Sequence, residues 1–436
     1  MIEQIINRRN MLQACRQVMA NKGSSGVDGM QVEELSVYLE ENRDALATSL
    51  ISGKYRAQSI LGVAIPKSNG KTRLLGIPTV LDRMLQQSVA QVMMIKWEPD
   101  FKAHSYGFRP NRNAQQAVLQ SQRYINEDGY HHIVDIDLQS FFDEVDHCLL
   151  MQLIYRRVKC SITLSLIRQW LRAPILINGT LTKRRKGMPQ GSPLSPLLSN
   201  ILLHELDKEM EGKGLKYVRY ADDFSIYSKT LKEARKIGNE IYLFLRNRLR
   251  LPINREKSGI RKPIEFELLG YKYVPTYIKG DKGKYQLVVS EKGWLNIKSK
   301  LKEITKKSAP KSFEVRIAQI KEASQGWLQY FRLGSIQGKL RDVDSWLRNR
   351  LRLCIWNDWK KTERKRKNLI RLGVEANQAY AFSRSRKGKW AISPSRPIMT
   401  TTITLERLSR RGYVSMLDYY YSIAPHYNES LIARPA

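Results

Sequence analysis

The chain has 436 residues, of which 42% are hydrophobic and 27% charged, the balance of a soluble globular protein of two to four domains. Lys and Arg number 75 against 41 Asp and Glu, a net charge of +34 that implies a polyanionic partner. Nucleic acid is the first candidate and an anionic membrane surface the second.

No window of 18 or more apolar residues occurs, so no membrane-spanning helix is expected. The first residues, Met1 to Gln13, lack the apolar core of a signal peptide. Four cysteines, Cys15, Cys148, Cys160 and Cys354, lie far apart without CxxC or CxxH spacing. They are expected to be buried small hydrophobes in a reducing cytoplasm, with no disulfide framework and no zinc site.

Residues 1–50 read as helix, broken by the loop Gly23-Ser24-Ser25-Gly26-Val27-Asp28-Gly29, a turn by default. Leu61–Lys67 and Thr72–Thr79 read as short strands, with 67–71 the hairpin turn between them. Asp82–Trp97 has helical apolar periodicity. From His131 to Leu138, the apolar Val134, Ile136 and Leu138 alternate with Asp135 and Asp137. That period of two puts acids on one face of a strand and apolar residues on the other. Leu194–Met210 reads as a helix. Tyr217–Tyr227 reads as two short strands around a tight turn at Ala221-Asp222-Asp223, and 231–250 as a basic amphipathic helix. Long basic helices are expected near 291–307, 313–332 and 339–361, and seven basic residues fall between Lys360 and Arg371. The implied division is a mixed α/β body, about 1–275, and a basic, mainly helical appendage, about 280–436.

Asp137 alone reads as a strand-end acid facing water. The Asp222-Asp223 pair changes that reading. Two adjacent acids at a hairpin tip, between apolar neighbours, repel each other, and a divalent cation relieves the repulsion. Tyr220-Ala221-Asp222-Asp223 between two strands, about 85 residues after an acid-bearing strand, is far more specific than a bare Asp-Asp turn. Two-metal phosphoryl transfer needs such carboxylates, to hold ions roughly 3.5–4 Å apart between the attacking and departing oxygens. The six histidines are scattered without metal-ligand spacing and read as structural or surface residues.

These blocks resemble those of group II intron-encoded reverse transcriptases with their maturase extension. Asp137-Leu138-Gln139-Ser140-Phe141-Phe142-Asp143 resembles the motif carrying the first catalytic Asp, and Tyr220-Ala221-Asp222-Asp223 the motif carrying the other two. Gly187-Met188-Pro189-Gln190-Gly191-Ser192-Pro193-Leu194-Ser195-Pro196 resembles the loop before the template-contacting helix. Asn254-Arg255-Glu256-Lys257-Ser258 and Leu268-Leu269-Gly270-Tyr271 resemble the motifs closing the palm. His104-Ser105-Tyr106-Gly107-Phe108-Arg109-Pro110 is similar to a block of the intron-encoded branch. The resemblance implies an α+β right-hand polymerase fold, with fingers, a palm of antiparallel sheet and a helical thumb, plus a basic helical maturase extension. It implies an N-terminal extension and fingers over 1–130, and a palm with part of the fingers over 131–275. Thumb and maturase helices would span 280–375 and a C-terminal basic extension 376–436.

The resemblance also implies roles. Asp137, Asp222 and Asp223 would hold two Mg²⁺ ions. Lys67 and Arg73 would grip the incoming deoxynucleoside triphosphate, since its charges suit Lys and Arg alike. Phe142 would block the ribose 2′-position, because a ring cannot accept the 2′-hydroxyl's hydrogen bond. Gln190 would approach the template and nascent base pair, and Lys257 the primer end or a phosphate. The plainer alternatives are a solvated hairpin for Lys67 and Arg73, core packing for Phe142, a turn-capping amide for Gln190 and a surface cation for Lys257. The Gly23–Gly29 loop resembles a fingertip lid over the template, with a plain connection the alternative.

Trp327, Phe331, Trp346, Leu353 and Trp356 fall on helical spacing and read as core. Lys360–Lys367 is the better site for nucleic acid, with the steep salt dependence of counterion release. After Tyr421 no paired cysteines and histidines follow, so no nuclease domain and no target-strand cleavage are expected of this chain. The expected partners are an RNA template, a DNA primer and intron RNA, with no membrane, and either a monomer or a dimer. Two other readings stay open: a splicing maturase without polymerase activity, and a reverse transcriptase recruited to DNA repair or defence.

Overall fold

The computed structural model describes residues 1–66, 70, 72–276, 283–394 and 396–424. Apart from Gly70 and the flanking strands, the expected turn at 67–71 lies outside the described residues, and Lys67 with it. Helices and mostly antiparallel sheets mix along the chain in an α+β arrangement. It divides into two compact units, Met1–Pro263 and Ile264–Ala436. Among the described residues no helix is long and apolar enough to cross a membrane.

The first unit begins with the short helix Ile2–Ile6, followed by the helices Arg8–Ala20 and Leu35–Ile51. Arg83 Nη2 donates to Ser24 O at 2.6 Å and ties the glycine-rich loop between them to a later helix, Val80–Trp97. Before that helix, β1 (Ile60–Pro66) and β2 (Thr72–Ile77) pair antiparallel. Thr79 caps the helix, its Oγ1 accepting from Asp82 N. Asp82 is buried but well supplied with donors: Trp170 Nε1 at 2.6 Å, Tyr55 OH at 2.9 Å and Gln58 N at 2.9 Å.

β3 (His132–Ile136) is shorter than its pattern suggests. Val134, Ile136 and Leu138 are buried, as the period of two requires. Ile133 is buried too, so the acid-bearing face is covered at its start and opens only toward Asp135 and Asp137. A small hairpin follows, β4 (Ile175–Ile177) and β5 (Thr180–Thr182), turning on Asn178 and Gly179, both at positive φ. β4 pairs in parallel with β1, giving the sheet order β2-β1-β4-β5. The helix Ser195–Gly212 leads to β6 (Lys216–Tyr220) and β7 (Asp223–Ser228). With β8 (Gly259–Arg261) these form the antiparallel sheet β6-β7-β3-β8. The expected basic helix runs Leu231–Phe244 and ends in one π turn, Leu245–Leu249.

One buried cluster holds the β6–β7 hairpin. Arg219 and Asp207 have no side-chain exposure and form a two-pronged ion pair, at 2.8 Å through Nε and 2.5 Å through Nη2. Arg219 also donates to Asn200 Oδ1 at 3.1 Å, Ser105 Oγ at 2.7 Å and the carbonyl of Ala221 at 2.9 Å. The backbone adds a bridge, Arg219 N to His104 O at 2.9 Å and Tyr106 N to Arg219 O at 2.8 Å. Next to it, Gly107 has no room for a side chain, since a Cβ there would lie 2.3 Å from Ala221 N. The His104–Pro110 block is therefore the strut of this hairpin.

The second unit starts with the sheet β11-β10-β9, formed by β9 (Glu267–Leu268), β10 (Tyr271–Pro275) and β11 (Tyr285–Val289). Helices Glu291–Ile304, Phe313–Phe331 and Gln337–Asp358 match the three long segments expected. Phe331, Leu353 and Trp356 are buried, and the ring of half-buried Trp327 lies 4.9 Å from those of Trp294 and Phe331. Asp344, buried in the third helix, accepts from Tyr413 OH, Ser415 Oγ and the amides of Met416 and Leu417. In the basic run, Lys360, Lys361, Arg364 and Lys367 are exposed.

The cysteine expectation holds for two residues only. Cys15 and Cys354 are buried, whereas Cys148 is exposed at a helix start and Cys160 half-buried just before one.

Replacing Arg219 by Met leaves Asp207 charged and buried alone, which costs about 3–5 kcal/mol of stability in urea unfolding. The double variant Arg219→Met, Asp207→Leu recovers most of that loss. A single variant as stable as the parent would show that the pair does not hold the hairpin.

Candidate active site

The three acids reach one end of the β6-β7-β3-β8 sheet by register. Ile136 stands opposite Phe224, so the next step sets Asp137 opposite Asp223. Tyr220 pairs with Asp223 across the hairpin, which leaves Ala221 and Asp222 as its two-residue turn. Ala221 takes φ 59°, in the left-handed region, and is held there by Arg219 and by Gly107. The segment after β7's helix closes the other side. Asp137 N donates to Ser258 Oγ at 3.0 Å, and Asn254 N to Asp137 O at 2.8 Å.

An open cavity of about 820 Å³ lies here. Asp137, Asp222, Arg73, Phe142, Gln190 and Lys257 all line it. Asp223 stands beside Asp222 at the first position of β7. Of the expected site residues only Lys67 lies outside the described residues.

The electrostatics are those of crowded carboxylates. Partial desolvation, then the charges of Asp222, Asp137 and Asp135, push the Asp223 carboxyl up to about 6, although it still reaches solvent. Desolvation also raises Asp222, and Asp137 adds to it while Arg73 opposes. Asp137 Oδ2 lies 3.5 Å from Lys257 Nζ. Among the described residues no three Asp, Glu, His or Cys side chains converge as a finished ligand set for one ion. The three backbones converge, with the Asp137 and Asp222 carboxylates lining the cavity and Asp223 next in the chain to Asp222. Their chemistry still fits a hard divalent cation, because oxygen donors with uncompensated negative charge are what such an ion takes.

The other walls are stitched together by backbone. Met188 N donates to Phe142 O at 2.7 Å, and Gly76 N to Gln190 O at 2.8 Å. Gln190 is thereby fixed to β2, the strand that carries exposed Arg73. Phe142 is half-buried, its ring edge-on to Phe141 at 5.2 Å, so it both packs and faces the cavity.

Sequence reasoning missed several supports. Arg219 and Asp207 carried no local signal, since each sits in an ordinary strand or helix pattern. Asp135 was visible as the second acid of β3 but was given no role. It pairs with Arg261 at 2.8 Å, and Arg261 also donates to Lys257 O at 2.6 Å, tying the Lys257 turn to the acid strand. Burial raises the Asp135 carboxyl and Arg261 opposes that rise.

Residues 65–273 match the model of the reverse transcriptase (RNA-dependent DNA polymerase) family. Residues 295–373 match the group II intron, maturase-specific domain. Protein YkfC of Escherichia coli (strain K12) is 32% identical over 57% of this chain and 76% of its own length. The group II intron-encoded protein LtrA of Lactococcus lactis subsp. cremoris is 31% identical over 59% of this chain. The match spans only 54% of LtrA. Among solved structures, a chain of a partial Cas6-RT-Cas1–Cas2 complex is 27% identical, with a TM-score of 0.37, over 56% of this chain and 42% of that one. Domains of the reverse transcriptase type use divalent metal ions and deoxynucleoside triphosphates, and maturase relatives bind RNA. The chain belongs to the family of group II intron-encoded reverse transcriptases, RNA-directed DNA polymerases that carry a maturase-specific domain.

Proposed function

We propose that this chain extends a DNA primer along an RNA template and also binds its parent intron RNA to assist splicing and mobility. The observation that carries the reading is the register that sets Asp137 opposite the Asp222-Asp223 turn, in a cavity shared with Arg73, Phe142 and Gln190. In this reading residues up to 130 supply the N-terminal extension and fingers, and 131–275 the palm with part of the fingers. Residues 280–375 supply thumb and maturase helices, and 376–436 the C-terminal basic extension.

Asp137, Asp222 and Asp223 would hold two Mg²⁺ ions, which when bound supply activation of a primer 3′-hydroxyl and charge for the departing pyrophosphate. The rest falls to side chains. Arg73 neutralises the triphosphate and stays charged in doing so. Phe142 presents a ring where a ribose 2′-hydroxyl would need a hydrogen bond. Gln190, pinned through its backbone, sets the edge on which the new base pair rests. Lys257 can release Asp137 and turn to a phosphate, since the contact is long and its side chain exposed. The exposed Lys360, Lys361, Arg364 and Lys367 meet RNA phosphates.

A maturase without polymerase activity is the rival reading. Primer extension separates the two. Asp222→Ala lowers synthesis on an RNA template on the order of a thousandfold, with RNA binding unchanged. The fold survives the change. Asp222 and Asp223 titrate above their ordinary values, so their ionised forms cost stability in the fold. For Asp223 that cost grows from the ordinary carboxylate range up to about pH 6 and is fully present above it. Asp222→Ala should therefore melt no lower than the parent at neutral pH in metal-free buffer. A variant that extends primers at the parental rate would remove Asp222 from the chemistry.

Phe142→Ala raises ribonucleotide incorporation about tenfold or more, by opening the 2′-position. Unchanged discrimination between ribo- and deoxynucleotides would take Phe142 out of that role.

A further inference from the structure

His147 belongs to no element of the chemistry above, yet it touches the loop that carries Gln190. It opens the helix His147–Tyr155, whose N-cap is Asp146. The residue is 6% exposed. Its Nε2 lies 2.6 Å from the carbonyl oxygen of Gly187, inside the protein. Nδ1 has no partner among the described residues. Burial holds the imidazole below its usual range, so it is neutral at neutral pH. A carbonyl only accepts, so the proton must sit on Nε2.

The contact matters because of what Gly187 is fastened to. Gly187 N donates to Val145 O at 2.7 Å, and Met188 N to Phe142 O at 2.7 Å. The glycine takes φ 82°, and a Cβ there would lie 2.8 Å from Asp143 O and 2.9 Å from Phe142 O. The short helix Phe141–Glu144, which bears Phe142, and the loop leading to Gln190 thus lie flush. Farther along, Ser195 Oγ holds Pro189 O at 2.8 Å and Gly76 N holds Gln190 O at 2.8 Å. Of these anchors His147 is the side chain that grips the loop at its Phe142 end.

We propose that His147 is a positioning residue for nucleotide selection: its Nε2–H fixes the Gly187 carbonyl, and so sets the spacing between the Phe142 ring and the Gln190 turn. The proposal rests on the polymerase reading for its kinetic consequence. The tie itself does not. With that hydrogen bond lost, the Gly187 carbonyl has no donor and only the backbone bonds and the Lys186–Glu144 ion pair hold the loop there, so the loop gains play, the nucleotide site loosens, and discrimination against the 2′-hydroxyl falls. The acids are untouched, since they hang from the β3 and β6–β7 strands.

The test uses the full chain with an RNA template and DNA primer, comparing His147→Ala with His147→Gln. Gln places an amide N–H near the position of Nε2. His147→Ala is expected to raise the KM for deoxynucleotide on the order of tenfold and to lower the deoxy-to-ribo preference by a similar factor. Its kcat stays close to the parent's, and His147→Gln restores both quantities. The preference ratio does not depend on the fraction of folded enzyme, so a merely structural defect would not move it. If His147→Ala does not fold, His147→Asn replaces it, because that amide is too short to reach Gly187 O. Parental KM and ratio in the variant, or no recovery with Gln, overturns the proposal. Hydrogen exchange at the Gly187 and Met188 amides gives a second arm that needs no activity, with faster exchange expected in His147→Ala. Should the unaltered chain extend no primer, the polymerase reading fails, and unchanged exchange would then overturn the tie as well.

Discussion

Arg219 and Asp207 meet without exposure to water, and the guanidinium gives its remaining N–H groups to Asn200, Ser105 and the carbonyl of Ala221. A charge pair so deep adds little net stability by itself, because desolvation offsets much of the attraction. Its value here is directional. The guanidinium fork fits one geometry, and that geometry fixes a helix, a strand and a hairpin turn in one relation. The turn bears Asp222 and Asp223, so the placement of the acids is inherited from a contact that never meets substrate.

The arrangement sets a rigid frame against an unfavourable cluster. Asp222, Asp223 and Asp135 all sit above their ordinary titration range through burial, with neighbouring acids adding to the rise. A loose hairpin would relieve that repulsion by moving apart. Gly107 pressed on the Ala221 backbone, the Arg219 fork and the Ser258 contact to Asp137 prevent it. Crowded charge held by a stiff scaffold is the general form of a site prepared for a counter-charge.

Much of this was legible in the sequence. β3 and the β6–β7 hairpin announce themselves because burial on one face imposes a period of two, and an Asp-Asp turn interrupts it visibly. The long helices of the second unit are as clear, since apolar residues repeat along one face over several turns. The β4–β5 hairpin was missed although Asn178-Gly179 is a strong turn signal, because three-residue strands are too short to show a period. The Arg219 cluster was legible only at Ser105, through the His104–Pro110 block. Asn200, Asp207 and Arg219 each look like an unremarkable polar residue until the chain folds. The cavity-lining residues were found through motif order. How the Gly187–Gly191 loop lies on the Phe142 segment depends on backbone hydrogen bonds, which have no residue signature.

In the second unit, Asp344 takes four donors from the stretch Tyr413–Leu417. A carboxylate buried in the middle of one helix is thereby made tolerable by a segment some seventy residues later. The tail is not an independent module. A tail without the Tyr413 and Ser415 hydroxyls would leave the Asp344 carboxylate buried with half its donors. The third long helix and the Tyr413–Leu417 segment thus share one buried charge between them.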